Sequence, residues 1–250
     1  TFEAFRRQSL IMLGIGVLGL GILVFVRHPW LDILSKQHLQ PEFAWGRFVQ
    51  RGLSRWQFPG LVIIMFGIYF VDSLGFLRLL KTPLYMESAW QSSDFNTRAF
   101  IAIVHIIGAL TAGALYPVLH ERSLFLWIFA IFALSHLQYN FHIQTGSVNA
   151  VLSMPMLYAL AVSMYTVVNF ALWADLSTPS TICLHSALGV ALSGWTATFL
   201  STSLAIYWGE RLPLNLHIRI VNSLAMLFFL AMLALSFLRP IKSSRQRCMP

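Results

Sequence analysis

The sequence predicts an all-α integral membrane protein with about seven transmembrane helices, on three observations. Of its 250 residues, 57% are hydrophobic and only 10% are charged. A soluble domain carries about 25% charged residues, and a mean hydropathy of +0.70 places this chain in a bilayer. Seven apolar stretches, at 9–26, 58–80, 100–119, 123–142, 148–176, 185–208 and 217–238, use most of the chain. Each is long enough to cross a hydrocarbon core about 30 Å thick as a helix. None alternates apolar and polar residues as a barrel strand would.

The first stretch contains "GIGVLG" at 14–19, a match to the G-x-G-x-x-G pattern. A dinucleotide site needs those glycines in a turn between a strand and a helix, whereas here they lie inside an apolar span. Gly14, Gly16, Gly19 and Gly21 read instead as places where another helix approaches closely. Residues 27–57 are the longest polar stretch and hold Arg27, Lys36, Arg47, Arg51 and Arg55, with Trp30, Trp45 and Trp56 spaced as interface anchors. This gives three parts: one span with a basic amphipathic loop at 1–57, a six-helix bundle at 58–238 and a basic tail at 239–250.

The second stretch carries Asp72, with Arg78 six residues on. A carboxylate within a span is costly and marks a candidate site. Arg78 lies more than one turn away, at the end of the span, where its head can reach the interface. Two readings of Asp72 stand. It is a functional carboxylate, paired with a residue of another helix or protonated, or it caps a helix that breaks near Gly75. In the next spans, His105 and His136 would ligate a b-type haem if they faced each other at similar depth, and otherwise are satisfied buried histidines. His136, His142 and His120 form no recognisable metal box. Asn140 and Asn169 complete the polar candidates within spans. Pro155 is expected to kink the long fifth stretch.

"ALWADLSTPSTICLHSALGVALSGW" at 171–195 reads as a helix end at Asp175, a turn stopped by Pro179 and a new helix. That helix has Ala187, Ala191, Gly194 and Ala197 at i, i+4, i+7 and i+10, a small-residue face for tight packing. Cys183 and Cys248 are too few for a disulfide framework, and no disulfide is expected. Cys248 is third from the end, which is not a prenylation box. No nucleophile–base pairing, phosphate loop or zinc spacing points to an enzyme.

The formal net charge of +8 would suggest nucleic acid in a soluble protein; here it fits basic loops on an anionic leaflet, and no nucleic-acid partner is expected. With seven spans the chain ends lie on opposite sides. If 27–57 and the tail are cytoplasmic, 10 basic residues fall inside and seven outside, which favours N-terminus out and C-terminus in. The chain begins at Thr1 without a signal-peptide pattern, so residue 1 reads as the start of a fragment or a processed chain.

The order of these elements resembles the major facilitator superfamily over residues 58–238, most like a C-terminal six-helix half. Residues 9–26 would be the last helix of the preceding half, and 27–57 the loop joining the halves. "GALYPVLHER" at 113–122 lies where such transporters have a glycine-led charged loop; Gly113 and Arg122 fit, while Pro117 stands where an aspartate is usual. "ADLSTPST" at 174–181 is similar to the junction of the fourth and fifth helices of a half, without the arginine that often follows the proline. The resemblance implies two halves rocking about a midplane site, hence a missing N-terminal half or another membrane chain as partner. It also implies a bacterial inner membrane. Under it, Asp72, His105, His136, Asn140 and Asn169 are candidate substrate or coupling residues, and Gly113, Arg122, Asp175 and Pro179 candidate gating residues. The expected function is small-solute transport, proton-coupled if Asp72 titrates. The alternatives are a non-transporting assembly subunit that docks helices or pigments, and a membrane cytochrome. No cofactor is predicted outside the haem and pigment alternatives.

Overall fold

The computed structural model describes residues 57–89, 91–119, 121–146, 151–178 and 181–238, with 7, 10, 11, 14, 15, 17–19, 21 and 22 nearer the N-terminus. The described residues form helices and short connections, with no strand among them. In chain order these are α1 (Gln57–Leu80), α2 (Pro83–Glu87), α3 (Phe95–Leu115), α4 (Glu121–Thr145), α5 (Ser153–Asp175), α6 (Ile182–Gly189), a π-helical segment (Val190–Thr196), α7 (Ala197–Gly209) and α8 (Leu214–Leu238). Six helices are long and apolar enough to cross a membrane, with α6, the π segment and α7 forming one continuous span. This is the all-α membrane architecture that the composition implies. Of the first stretch, 9–26, the described residues are helical and the remainder lies outside the described residues. Residues 27–56 and 239–250, and with them the basic loop and tail, also lie outside.

The helix ends follow local chemistry. Pro83 opens α2, and its ring holds the preceding Thr82 extended (φ −99°, ψ 113°), so α1 cannot run on. Asp94 caps α3 by accepting from the amides of Asn96 (3.2 Å) and Thr97 (2.8 Å), two of the donors a helix start leaves unpaired. α5 starts at Ser153, so Pro155 falls in its first turn, where no partner for its missing N–H is needed. The expected kink of a longer helix at Pro155 is therefore corrected: the segment before 153 is not part of α5.

α5 packs between α3 and α4; α4 packs on α8; α8, α7 and the π segment pack on α1. Two apolar clusters fill the interior. One gathers Met65, Ile68, Phe129, Tyr165 and Trp173; the other gathers Leu74, Phe132, Tyr158, Ile218 and Val221. The outer faces of α3, the π segment and α7 leave Ile106, Leu110, Trp195 and Phe199 exposed, as a surface against lipid chains requires.

Close approaches use glycine at particular places. A Cβ on Gly189 would lie 2.3 Å from Trp173 Cδ2, and one on Gly67 would lie 2.5 Å from the Phe228 ring. The expected small-residue face is only partly used: Ala187 is exposed, while Gly194 and Ala197 are buried. The π segment widens the helical turn between them, so the i, i+10 register assumed for a regular helix does not hold. At Gly14, Gly19 and Gly21 no described atom lies within 4 Å of a would-be Cβ, so no described helix packs there; Gly16 lies outside the described residues.

Candidate functional site

α1 runs unbroken through Asp72 and Gly75, so the expected break near Gly75 does not occur. Gly75 has a different role. Its missing side chain admits His136 of α4 and Val221 of α8, each 3.0 Å from where a Cβ would stand. The α1 backbone is thereby pulled against two neighbours, one turn beyond Asp72.

Asp72 is half-buried where the two apolar clusters meet. It lies eight residues from the end of α1, about 12 Å along the axis, and so deep in the span. Its partners are two tyrosines of α5. The Tyr158 hydroxyl donates to Oδ1, and the Tyr165 hydroxyl donates to Oδ2 at 2.6 Å. Seven residues are close to two full helical turns, so both hydroxyls leave α5 on one face. Both tyrosines are buried, at 8% and 2% exposure, and their rings supply the apolar packing that the carboxylate cannot. Tyr158 stacks on Phe76 at 5.8 Å, and Tyr165 meets Tyr69 edge-on at 4.9 Å.

Arg78 does not pair with Asp72. Its guanidinium donates to the Gly209 carbonyl at 2.9 Å and the Leu212 carbonyl at 3.0 Å, closing the last turn of α7 at the end of the bundle. The Gly209 carbonyl is among the acceptors a helix end leaves open, and Leu212 lies in the turn before α8.

A polar chain continues from Asp72 along the same face of α5. Asn169, four residues beyond Tyr165, donates to the Tyr69 hydroxyl at 3.1 Å and accepts from Trp173 Nε1 at 3.1 Å. Ser193 of the π segment donates to the Gly189 carbonyl at 2.5 Å, with its Oγ 3.5 Å from Asn169 Oδ1. The amide thus ties α5 to α1 and to the π segment, and Gly189 clears the space that Trp173 fills.

Of the other candidates, His136 is fully buried beside this site. Its Nδ1 lies 3.0 Å from the Phe132 carbonyl and its ring meets Tyr158 at 5.9 Å. His105 sits on α3 with Nδ1 2.5 Å from Ser163 Oγ of α5. The helices of these two histidines both pack on α5. Asn140 is apart from the site and accepts from Gln144 at 3.1 Å. Gly113 and Arg122 lie in α3 and α4 rather than in a loop spanning 113–122, because both helices extend into that stretch; the Arg122 side chain is outside the description. Gly113 is exposed with open space around it. Asp175 is the last residue of α5, and Pro179 lies outside the described residues. Among the described residues no group of His, Cys, Asp and Glu is placed to hold a metal ion. Cys183 is an exposed free thiol, and Cys248 lies outside the described residues.

The residues that sequence reasoning passed over are Tyr158, Tyr165, Tyr69, Trp173 and Ser193. The signal that would have found the first two is their spacing with Asn169 in one apolar span, at i, i+7 and i+11. That series marks a single helix face carrying three polar groups. No family model matches the chain, and no curated protein or solved structure matches it.

Proposed function

We propose that this chain is the transporting half of a secondary carrier for a small solute, with Asp72 as the carboxylate that binds the solute or a coupling proton. The observation that carries this reading is the setting of Asp72: a carboxylate deep in a span, with each oxygen taken by a neutral hydroxyl of one neighbouring helix. Purely architectural needs do not call for an ionisable group at that depth, and intramembrane carboxylates are expensive enough to mark pathways for ions and solutes. Two hydroxyls satisfy such a group in either protonation state, since a hydroxyl both donates and accepts. The site therefore tolerates a change of charge without unpairing. Asn169, Tyr69 and Ser193 join the same helices and extend a polar surface along α5 toward the π segment. Non-α-helical turns of this type often accompany functional sites.

On this reading the six helices are one half of a working unit. A second half, from a further stretch of the same protein or another membrane chain, would close the solute path. The test is solute-driven proton movement. Native-membrane vesicles enriched in the full protein are loaded with a pH-reporting dye and challenged with a panel of amino acids, sugars and small organic acids. At least one solute class is expected to move protons with the parent protein, and Asp72→Asn abolishes that movement while exchange of the same solute persists. Proton movement that survives Asp72→Asn unchanged contradicts the reading.

A further inference from the structure

Two histidines that the carrier reading does not use lie against α1 just beyond Asp72. His136 of α4 and His217 of α8 are both fully buried. A backbone carbonyl fixes the tautomer of each, because a carbonyl oxygen only accepts. His136 Nδ1 donates to the Phe132 carbonyl at 3.0 Å, and His217 Nε2 donates to the Leu74 carbonyl at 2.8 Å. In the neutral ring the other nitrogen is then a bare acceptor. Among the described residues, neither His136 Nε2 nor His217 Nδ1 meets a hydrogen-bond donor. A buried acceptor left unpaired costs stability, so each marks a place where a donor is due.

Of the two, His136 borders the Asp72 site. Its Nε2 lies 3.0 Å from where a Gly75 Cβ would stand, and Gly75 is three residues beyond Asp72 on α1. Side chains at i and i+3 are about 5–6 Å apart at Cβ, so the bare nitrogen and the carboxylate share one turn of α1. Tyr158 touches both: its hydroxyl donates to Asp72 Oδ1, and its ring meets the His136 ring edge-on at 5.9 Å. The other titratable groups around this turn have their own partners. Tyr165 of α5 holds Asp72 Oδ2, and Tyr69 of α1 accepts from Asn169. Arg78 turns to the Gly209 and Leu212 carbonyls, and His217 turns to the α1 backbone and to the Trp208 ring at 5.8 Å. Tyr139, one turn further along α4, packs on Tyr85 at 5.2 Å. From α7, the uncharged Thr198 reaches Ser73 at 3.4 Å.

Both tyrosine hydroxyls donate to Asp72, which is the arrangement of an ionised carboxylate. A proton arriving on Oδ1 reverses one of these bonds: the carboxyl O–H donates, and the Tyr158 oxygen accepts. The Tyr158 hydrogen then needs another acceptor, and His136 Nε2 is the unpaired one that its ring already borders. We propose that His136 is the positioning residue that takes this hydrogen bond from Tyr158, with at most one water between them, and thereby sets the proton affinity of Asp72. The added proton stays on Asp72, the Tyr158 hydroxyl only turns, and Tyr165 goes on donating to Oδ2. The Phe132 carbonyl keeps Nε2 bare by holding the ring hydrogen on Nδ1. This rests on the reading of Asp72 as a proton-binding group, but it does not need flux to be seen.

The test is a pH titration of the full protein in lipid vesicles, followed by infrared difference spectroscopy. The protonated-carboxyl band that Asp72→Asn removes is the band of Asp72, and its midpoint pH reports the proton affinity. His136→Leu takes the acceptor away and is expected to lower that midpoint by about one pH unit, a roughly tenfold loss of proton affinity. His136→Gln, which offers a side-chain oxygen instead, is expected to stay within about 0.3 unit of the parent. In a Tyr158→Phe background, His136→Leu is expected to shift nothing further, because the hydroxyl that links the two groups is gone. The parent protein carries a second check that needs no variant to fold: with isotope-labelled histidine, an imidazole band is expected to move at the same midpoint as the Asp72 band. The proposal is overturned if that imidazole band stays still through the Asp72 midpoint, or if His136→Leu leaves the midpoint unchanged. It is equally overturned if the His136→Leu shift persists in Tyr158→Phe, since the effect would then be a general loosening of the bundle, or if Asp72 shows no protonated band at any pH. Because the titration requires no transported solute, this result and the proton-movement result fail independently.

Discussion

At the scale of single residues, the carboxylate and the guanidinium of α1 have separate tasks. Asp72 turns to the hydroxyls of α5, while Arg78 turns to one carbonyl at the end of α7 and one in the turn after it. The six-residue spacing already made a pair awkward, and the structure shows the physical reason: each group has partners closer to its own depth. Their effects on stability should therefore add. Asp72→Asn combined with Arg78→Ala is expected to cost the sum of the single changes within about 0.5 kcal/mol, measured by reversible unfolding in detergent. Arg78→Ala alone should cost about 1–3 kcal/mol, because it leaves carbonyls at and just past a helix end without their donor. Asp94 gives a pH-dependent case outside the spans. The amides of Thr97 and Asn96 and the Thr97 hydroxyl hold its carboxyl below the usual carboxylate range. A lowered folded pKa adds stability above the unfolded value of about 3.9, lost as pH falls through the folded pKa. Thermal melts should thus show α3 weakening in acid, and Asp94→Asn, which caps without titrating, should flatten that dependence.

At the scale of elements, the spans themselves were legible because hydropathy and length report directly on solvent. All six described spans begin or end within a few residues of the apolar stretches. The fifth began later because Pro155 suits a first turn better than a helix interior, a choice that hydropathy alone does not register. The π segment was not legible, since "VALSGW" has no composition that separates a wide turn from an ordinary one. The tight approach to Trp173 falls at Gly189, immediately before that segment. Gly189→Ala is accordingly predicted to cost about 1–3 kcal/mol, because its Cβ would enter the Trp173 ring system. Gly113→Ala, on an open helical face, should instead stabilise α3 by about 0.5–1 kcal/mol. Unfolding measurements on the two variants should move in opposite directions. The candidate site was half legible. Asp72 stood out as a charge in an apolar span, but its tyrosines did not, because an aromatic in a membrane helix is ordinarily read as packing.

At the scale of the whole molecule, a polar seam runs through an otherwise apolar bundle, from Tyr158 through Asp72 and Asn169 to Ser193. It follows one face of α5 and joins α1 and the π segment to it. On the carrier reading the bundle is one half, and a second half would enclose the solute. Gentle extraction from the native membrane is therefore predicted to give a particle larger than the 28.3 kDa of one chain, with one further six-helix unit in it. A monomeric particle, or a large assembly of unrelated proteins, would count against the carrier reading and leave the bundle as a subunit of something else.

The central claim is that Asp72 is gripped by α5 through tyrosine hydroxyls, and a double-mutant cycle between Asp72→Leu, which removes the acceptor at similar volume, and Tyr165→Phe measures that grip directly. Hydrogen bonds between membrane helices average about 0.6 kcal/mol and reach about 1.7 kcal/mol. A bond to a carboxylate belongs at the upper end of that range. The account predicts a coupling of about 1–2 kcal/mol in the cycle. Additive single effects, with no coupling beyond about 0.3 kcal/mol, would contradict it.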